Sequence, residues 1–160
     1  MSFEVNTYNP SDVYLTLAGV NMIGWNDVTI VRASESFKFI KGIRGKHTRV
    51  RELDSSALVT IALMQTSPSN DILSEILSQD EVSGTGLLEI TLADKSGNSL
   101  MSSSEAYLVG FPSKSFKDSI EFITWTIQCQ STDDYIIGSN TKPNTQLINK
   151  AIEYLNSLST

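Results

Sequence analysis

Between residues 119 and 130 the side chains alternate strictly. Glu121, Ile123, Trp125, Ile127 and Cys129 fall on one face, and Ile120, Phe122, Thr124, Thr126 and Gln128 on the other. Period two over this length specifies a strand whose apolar face lies on a core shared with other strands. Val13, Leu15 and Leu17 repeat the alternation, as do Leu88, Ile90 and Leu92, and Val28 to Val31 form a short β-branched run. Residues 57–64 are almost continuously apolar, the pattern of a strand buried on both faces. Asp94-Lys95-Ser96-Gly97 is a turn leading into a hairpin partner over residues 106–111, and Tyr135-Ile136-Ile137-Gly138 closes the β-rich part. The fold class expected is mainly β: an antiparallel barrel or sandwich with one flanking helix, a long hairpin arm and a C-terminal amphipathic helix.

The flanking helix is predicted over about residues 68–79. Ser67 can cap it, Pro68 suits a first helical position, Asp71 lies where the helix dipole favours an acid, and Ile72, Leu73, Ile76 and Leu77 form one stripe. A second helix carries Leu147, Ile148, Ala151, Ile152, Leu155 and Leu158 on one side, with Lys150 and Glu153 its only charges. Residues 140–144, with Pro143, read as a linker, which divides the chain into a β-domain over 1–140 and a linker with helix over 141–160.

Charge separates sharply. Residues 32–51 hold seven basic side chains and one acid, a net +6, whereas the other 140 residues hold five basic and 17 acidic ones, a net −12. Lys38, Lys41, Arg44, Lys46, His47, Arg49 and Arg51 fall in a stretch, 34–54, with no helical period, which reads as a hairpin arm or a long functional loop. Nucleic-acid binding uses only the basic half of this asymmetry, and the cluster has no Trp or Tyr for base stacking. Self-association, arm against acidic body, uses both halves.

Chemistry is scarce. One cysteine, Cys129, and one histidine, His47, exclude a disulfide framework, a cysteine-based zinc cluster and a two-histidine metal site. There is no phosphate loop and no nucleophile elbow, and the pairs Asp80-Glu81 and Asp133-Asp134 point their carboxylates apart. Cys129 reads as a buried, inert thiol. The expectation is a protein that is not an enzyme, with no cofactor, no metal and no membrane anchor.

The central wording is distinctive: Gly42-Ile43-Arg44-Gly45, then Asp54-Ser55-Ser56-Ala57-Leu58-Val59-Thr60-Ile61-Ala62-Leu63, then Gln65-Thr66-Ser67-Pro68-Ser69-Asn70-Asp71. Over roughly residues 10–140 the chain resembles the tail tube proteins of contractile-tailed bacteriophages, which are related to the tubes of tailocins and type VI secretion systems. The resemblance implies a virion structural protein assembled in the host cytoplasm. Six copies close into a ring around a channel, and the rings stack. Residues 38–51 would be the inter-ring arm, and Gln65, Thr66, Ser67, Pro68, Asn70 and Asp71 the family-motif segment. Implied partners are further copies, the tail sheath, a tape-measure protein in the lumen, the baseplate hub and the tail terminator. DNA would transit without specific binding, past a lumen whose acids repel phosphate. The C-terminal helix extends past the family's usual end; Leu147, Ile148, Ile152 and Leu155 are expected to dock on the outside of the tube or on the sheath, or else to pack on their own barrel. The alternative functions are a small β-barrel module that grips nucleic acid or an acidic partner with its arm, or a tube subunit of a tailocin or secretion system.

Overall fold

The computed structural model describes residues 7–140 and 145–159. Residues 141–144, the core of the expected linker, lie outside the described residues. After a 3-10 turn at Pro10–Asp12 come β1 (Val13–Leu17), β2 (Val20–Asn21), β3 (Trp25–Arg32), β4 (Phe37–Lys41), β5 (His47–Arg51) and β6 (Ala57–Met64). Then follow α1 (Ser69–Ser83), β7 (Leu88–Asp94), β8 (Leu100–Leu108), β9 (Phe122–Cys129), β10 (Asp134–Ile136) and α2 (Thr145–Ser157). The main sheet is antiparallel and runs β2-β1-β7-β8-β9-β6-β3, with β10 also paired to β8; among the described residues β4 and β5 pair only with each other. The chain is thus mainly β, with one central and one C-terminal helix.

One face of the sheet builds the core. Leu15, Leu17, Val59, Ile61, Leu63, Ile90, Trp125, Ile127 and Cys129 are buried there, and α1 closes it with Leu73 and Leu77. Burial of each such aliphatic side chain stabilises the fold by roughly 1.5–3 kcal/mol relative to exposure. β6 is not covered on both faces: Ala57, Val59, Ile61 and Leu63 are buried, but Leu58 and Met64 are about two-fifths exposed at 38% and 44%. Its continuous apolar run reflects one core face and one face of small or aliphatic residues open to solvent. The hairpin partner of β7 begins at Leu100, earlier than the turn wording suggested, with Leu92 opposite Met101. The register then shifts between Leu88 and Ile90, so that Met101 and Ser103, then Ala106 and Leu108, all face inward. At this bulge β8 changes neighbours, from β10 at Leu100–Ser102 to β9 at Ala106–Leu108. That break in period hid the first half of the strand.

α1 starts at Ser69, one residue past the expected position, and runs to Ser83, where Gly84 ends it in the left-handed conformation at φ +66. Gly24, at φ +72, sits where the chain enters β3, and a Cβ there would lie 2.8 Å from Ser67 Cβ. Gly24→Ala is therefore expected to cost about 2–4 kcal/mol, combining left-handed strain with a backbone shift at Ser67. A urea titration measures this loss, and wild-type stability in the variant would contradict the close packing.

Candidate assembly interface

The seven residues expected to form the arm do lie together. β4 and β5 form a two-stranded hairpin in which Phe37 faces Arg51, Phe39 faces Arg49 and Lys41 faces His47. The tip is held by Gly42 N–H donating to Lys46 O at 2.7 Å and Gly45 N–H donating to Gly42 O at 3.0 Å. Every residue of both strands is exposed, and Ile43 at the tip is fully so. Alternation gives the hairpin two unlike faces. On one, the Arg49 guanidinium lies 4.2 Å from the Phe37 ring centre, and the Phe39 and His47 rings are 5.3 Å apart. On the other are Lys38, Ile40, Thr48 and Val50. A free hairpin is marginal in water, so these contacts order the arm rather than bury it.

The root of the arm is fixed by carboxylates. Asp54 accepts from Ser56 N–H at 3.0 Å and from the Ser34 hydroxyl at 3.1 Å, and Lys38 pairs with Glu52 at 2.5 Å. Hydrogen bonds from Ser56, then Ser34, hold the Asp54 carboxyl below its usual range; the hydrogen bond and charge of Lys38 and the Asp54 N–H do the same for Glu52, which in turn raises Lys38. Depressed carboxyl groups give order that is complete above their ordinary values and is lost as pH falls through the lowered ones. The raised Lys38 loses its part only as pH climbs above its ordinary range. Amide protection in residues 34–54, measured against the intrinsic exchange rate at each pH, is expected to fall below about pH 4 while the sheet stays protected. Uniform protection of the root down to pH 2 would rule out this latch. Beside it Arg32 stacks on Tyr135 at 5.2 Å with its Nε buried and unpartnered among the described residues.

The segment Gln65–Asp71 does something other than present an outer surface. The Ser67 hydroxyl donates to Ile23 O at 2.5 Å and accepts from Ser69 N–H at 3.2 Å, so it serves the helix start although Ser67 lies one residue before the cap position. Ile23 N–H donates to the Ser69 hydroxyl at 2.9 Å. Asn70 Nδ2 donates to Met64 O and Ser67 O at 2.9 and 3.1 Å, and its Oδ1 accepts from Trp125 Nε1–H at 3.0 Å. Gln65 Oε1 accepts from Glu121 N–H at 3.2 Å. These residues tie the entry of β3, the end of β6, the start of α1 and the middle of β9 into one latch. Thr66, Pro68 and Asp71 are exposed around it.

In α2 every described side chain is exposed, including Leu147 at 64%, Ile148 at 50%, Ile152 at 48% and Leu155 at 63%. Among the described residues, then, the stripe of this helix is left uncovered. A second exposed feature is residues 109–121 between β8 and β9: β8 ends at Leu108, short of the expected 111, and β9 begins at Phe122, so the alternation from 119 to 121 is not part of a strand. Phe116 and Ile120 are 84% and 69% exposed there, and Lys117 pairs with Glu121 at 2.7 Å. Between Pro112 and Asp118 its apolar residue, Phe116, is set among Ser and Lys at neither period. Cys129 is buried, and burial pushes its thiol up, away from thiolate chemistry.

No family model matches the chain. It is 31% identical over 143 residues to the structural protein ORF10 of Pseudomonas phage KPP10, covering 82% of this chain and 83% of that protein. Solved structures share the fold at low identity. The sheath/tube terminator of PVC, an extracellular contractile injection system, has a TM-score of 0.59 at 15% identity, covering 86% of this chain and 99% of that one. A chain of the PVC sheath–tube complex gives 0.60 at 13%, covering 81% and 93%, and the tube terminating cap of the anti-feeding prophage gives 0.60 at 11%, covering 85% and 97%. The chain thus shares its fold with components of extracellular contractile injection systems, and it belongs to the family of phage structural proteins that includes ORF10 of Pseudomonas phage KPP10.

Proposed function

We propose that this protein is the subunit of the inner tail tube of a contractile phage, acting as a mechanical part rather than as an enzyme. The observation that carries the reading is the β4–β5 hairpin: an ordered, basic, fully exposed arm on a chain that is otherwise net −12. Six copies close into a ring by pairing sheet edges, for which β3 offers eight residues bonded on one side only. The arm crosses to the next ring and meets acidic surface, such as α1, which carries Asp71, Glu75, Asp80 and Glu81 and no base. The tube grows from the baseplate hub to a length set by a tape-measure protein, carries the sheath, ends at a terminator and conducts DNA. The solvent face of β6 and β9, with Thr60, Ala62, Thr124, Thr126 and Gln128, presents no cation, so DNA passing such a surface is not held.

Two neighbours in fold are a terminator and a cap, which favours a second reading: a subunit that forms one ring closing the tube. Electron microscopy of the purified full chain separates them. Stacked tubes support the tube subunit, and single rings that never stack support the terminator. A monodisperse monomer with salt-sensitive DNA binding would sink both and leave the nucleic-acid module.

A further inference from the structure

An isoleucine at the tip of an exposed hairpin is at odds with the chemistry of tight turns, which favour Gly, Pro, Asn, Asp and Ser. Ile43 sits in the turn that Gly45 N–H closes on Gly42 O, and its side chain is fully exposed. Lys41, Arg44 and Lys46 flank it, and among the described residues no ion pair holds any of the three. The arm thus ends in an apolar knob among free cations. The body carries the complement. Between α1 and the start of β7, Ala18, Ile76, Leu87 and Leu88 line a groove of about 350 Å³ whose charged residues are Glu75 and Asp80. Leu87 is 58% exposed at its mouth. Gln79 Nε2 donates to Glu75 Oε1 at 3.0 Å and Gly86 N–H to Asp80 Oδ1 at 2.8 Å, which holds both carboxylates in place and leaves each a second oxygen. The apolar groove beside β3, lined by Val28, Ile30 and Ile137, has no carboxylate to meet the cations.

We infer that Ile43 of one copy seats in the α1–β7 groove of a second copy, with the cations of the tip against Glu75 and Asp80. An apolar anchor in a pocket supplies the affinity, and opposite charges around it fix the register. The contact joins two copies. The hairpin is ordered from root to tip, and its root is fixed by Ala33 N–H donating to Ser56 O at 3.0 Å and Glu52 N–H donating to Ser36 O at 2.8 Å. The five residues of each strand, at about 3.3 Å apiece, carry the tip roughly 17 Å from that root. There Ile43 is covered by no part of its own chain. Seating it in its own groove would mean folding the paired hairpin back over the body and giving up the root bonds, whereas a second copy meets the arm as it stands. This docking rests on the arm-to-neighbour reading proposed above and deepens it, by naming the site on the neighbour and making Ile43, rather than charge alone, the anchor.

The test uses full-length protein. Copies carrying Ile43→Cys are mixed with isotope-labelled copies carrying Leu87→Cys, both at exposed positions, and treated with a short bis-maleimide; Cys129 is buried. The expected product joins one labelled and one unlabelled chain. Ile43→Ser is expected to raise the concentration for half-assembly roughly tenfold or more, the effect of withdrawing one buried isoleucine, with the melting temperature unchanged, whereas Ile43→Leu stays near wild type. If wild-type chains assemble but the mixed product does not form, if Ile43→Ser assembles at the wild-type concentration, or if I43C/L87C cross-links within single chains at high dilution, the docking is overturned and the assembly reading stands. A wild-type chain that stays monomeric at every concentration overturns both.

Discussion

Trp125→Ala is expected to cost the β-domain about 3–5 kcal/mol, the range for truncating a buried aromatic. Whole domains are stable by only about 5–15 kcal/mol, so the variant sits near its unfolding limit at growth temperature. Trp125 is 2% exposed at the centre of β9, and the Phe111 ring packs 6.2 Å from it. Its removal opens a cavity in the core. It also deprives Asn70 Oδ1 of its donor, while Asn70 Nδ2 still has to hold Met64 O and Ser67 O. Asn70→Ala alone is expected to cost about 1–2 kcal/mol. Because both substitutions break one network, the double variant should lose less than the sum, by about 0.5 kcal/mol or more. Urea unfolding of the four proteins measures this. Strict additivity would mean that the Gln65–Asp71 segment is not a single latch.

The second large effect falls on assembly and spares the fold. Reversing Arg44, Arg49, Arg51 and Lys46 to glutamate takes the 32–51 segment from +6 to −2. These side chains are exposed and form no part of the main sheet, so the melting temperature should stay within a few degrees. Each exposed charge pair contributes only about 0.2–1 kcal/mol, but in the proposed ring all arms would engage at once and the contributions multiply across the copies. Stacking should fall by at least ~100-fold in concentration, and wild-type stacking should weaken when salt rises from about 0.1 to 1 M, as the Debye length drops from about 10 to 3 Å. Sedimentation and electron microscopy read both. Tubes of wild-type length from the reversed protein would refute the assignment of the arm.

The strands that read clearly in the sequence are those with one wet face. Ile123, Trp125, Ile127 and Cys129 point inward as their alternation required, and Val13–Leu17 and α2 fall where their periods put them. β8 was half hidden because its bulge resets the period in mid-strand. α1 outruns its expected end by four residues because Gln79–Ser83 contains no breaker; the stop is Gly84. The arm was visible as charge, but its division into an aromatic–cationic face and an aliphatic one depends on register, which a sequence does not state. Asn70 shows the deepest gap. Its wording marked a family, yet its work, joining β6, α1 and β9, depends on Trp125, 55 residues away.

The free edge of β3 has a bearing on how such a protein is handled before it is used. Eight residues of strand with an open ladder are a template for any extended chain, not only for the correct neighbour. Trp25, Val28 and Ile30 on that strand are only partly covered. In the proposed assembly, the time a new copy waits before a neighbour pairs with that edge sets how long it is exposed to misassociation. In the proposed tube, copies made faster than they are incorporated would be lost to aggregation or proteolysis, so growth would depend on synthesis and incorporation being matched in rate.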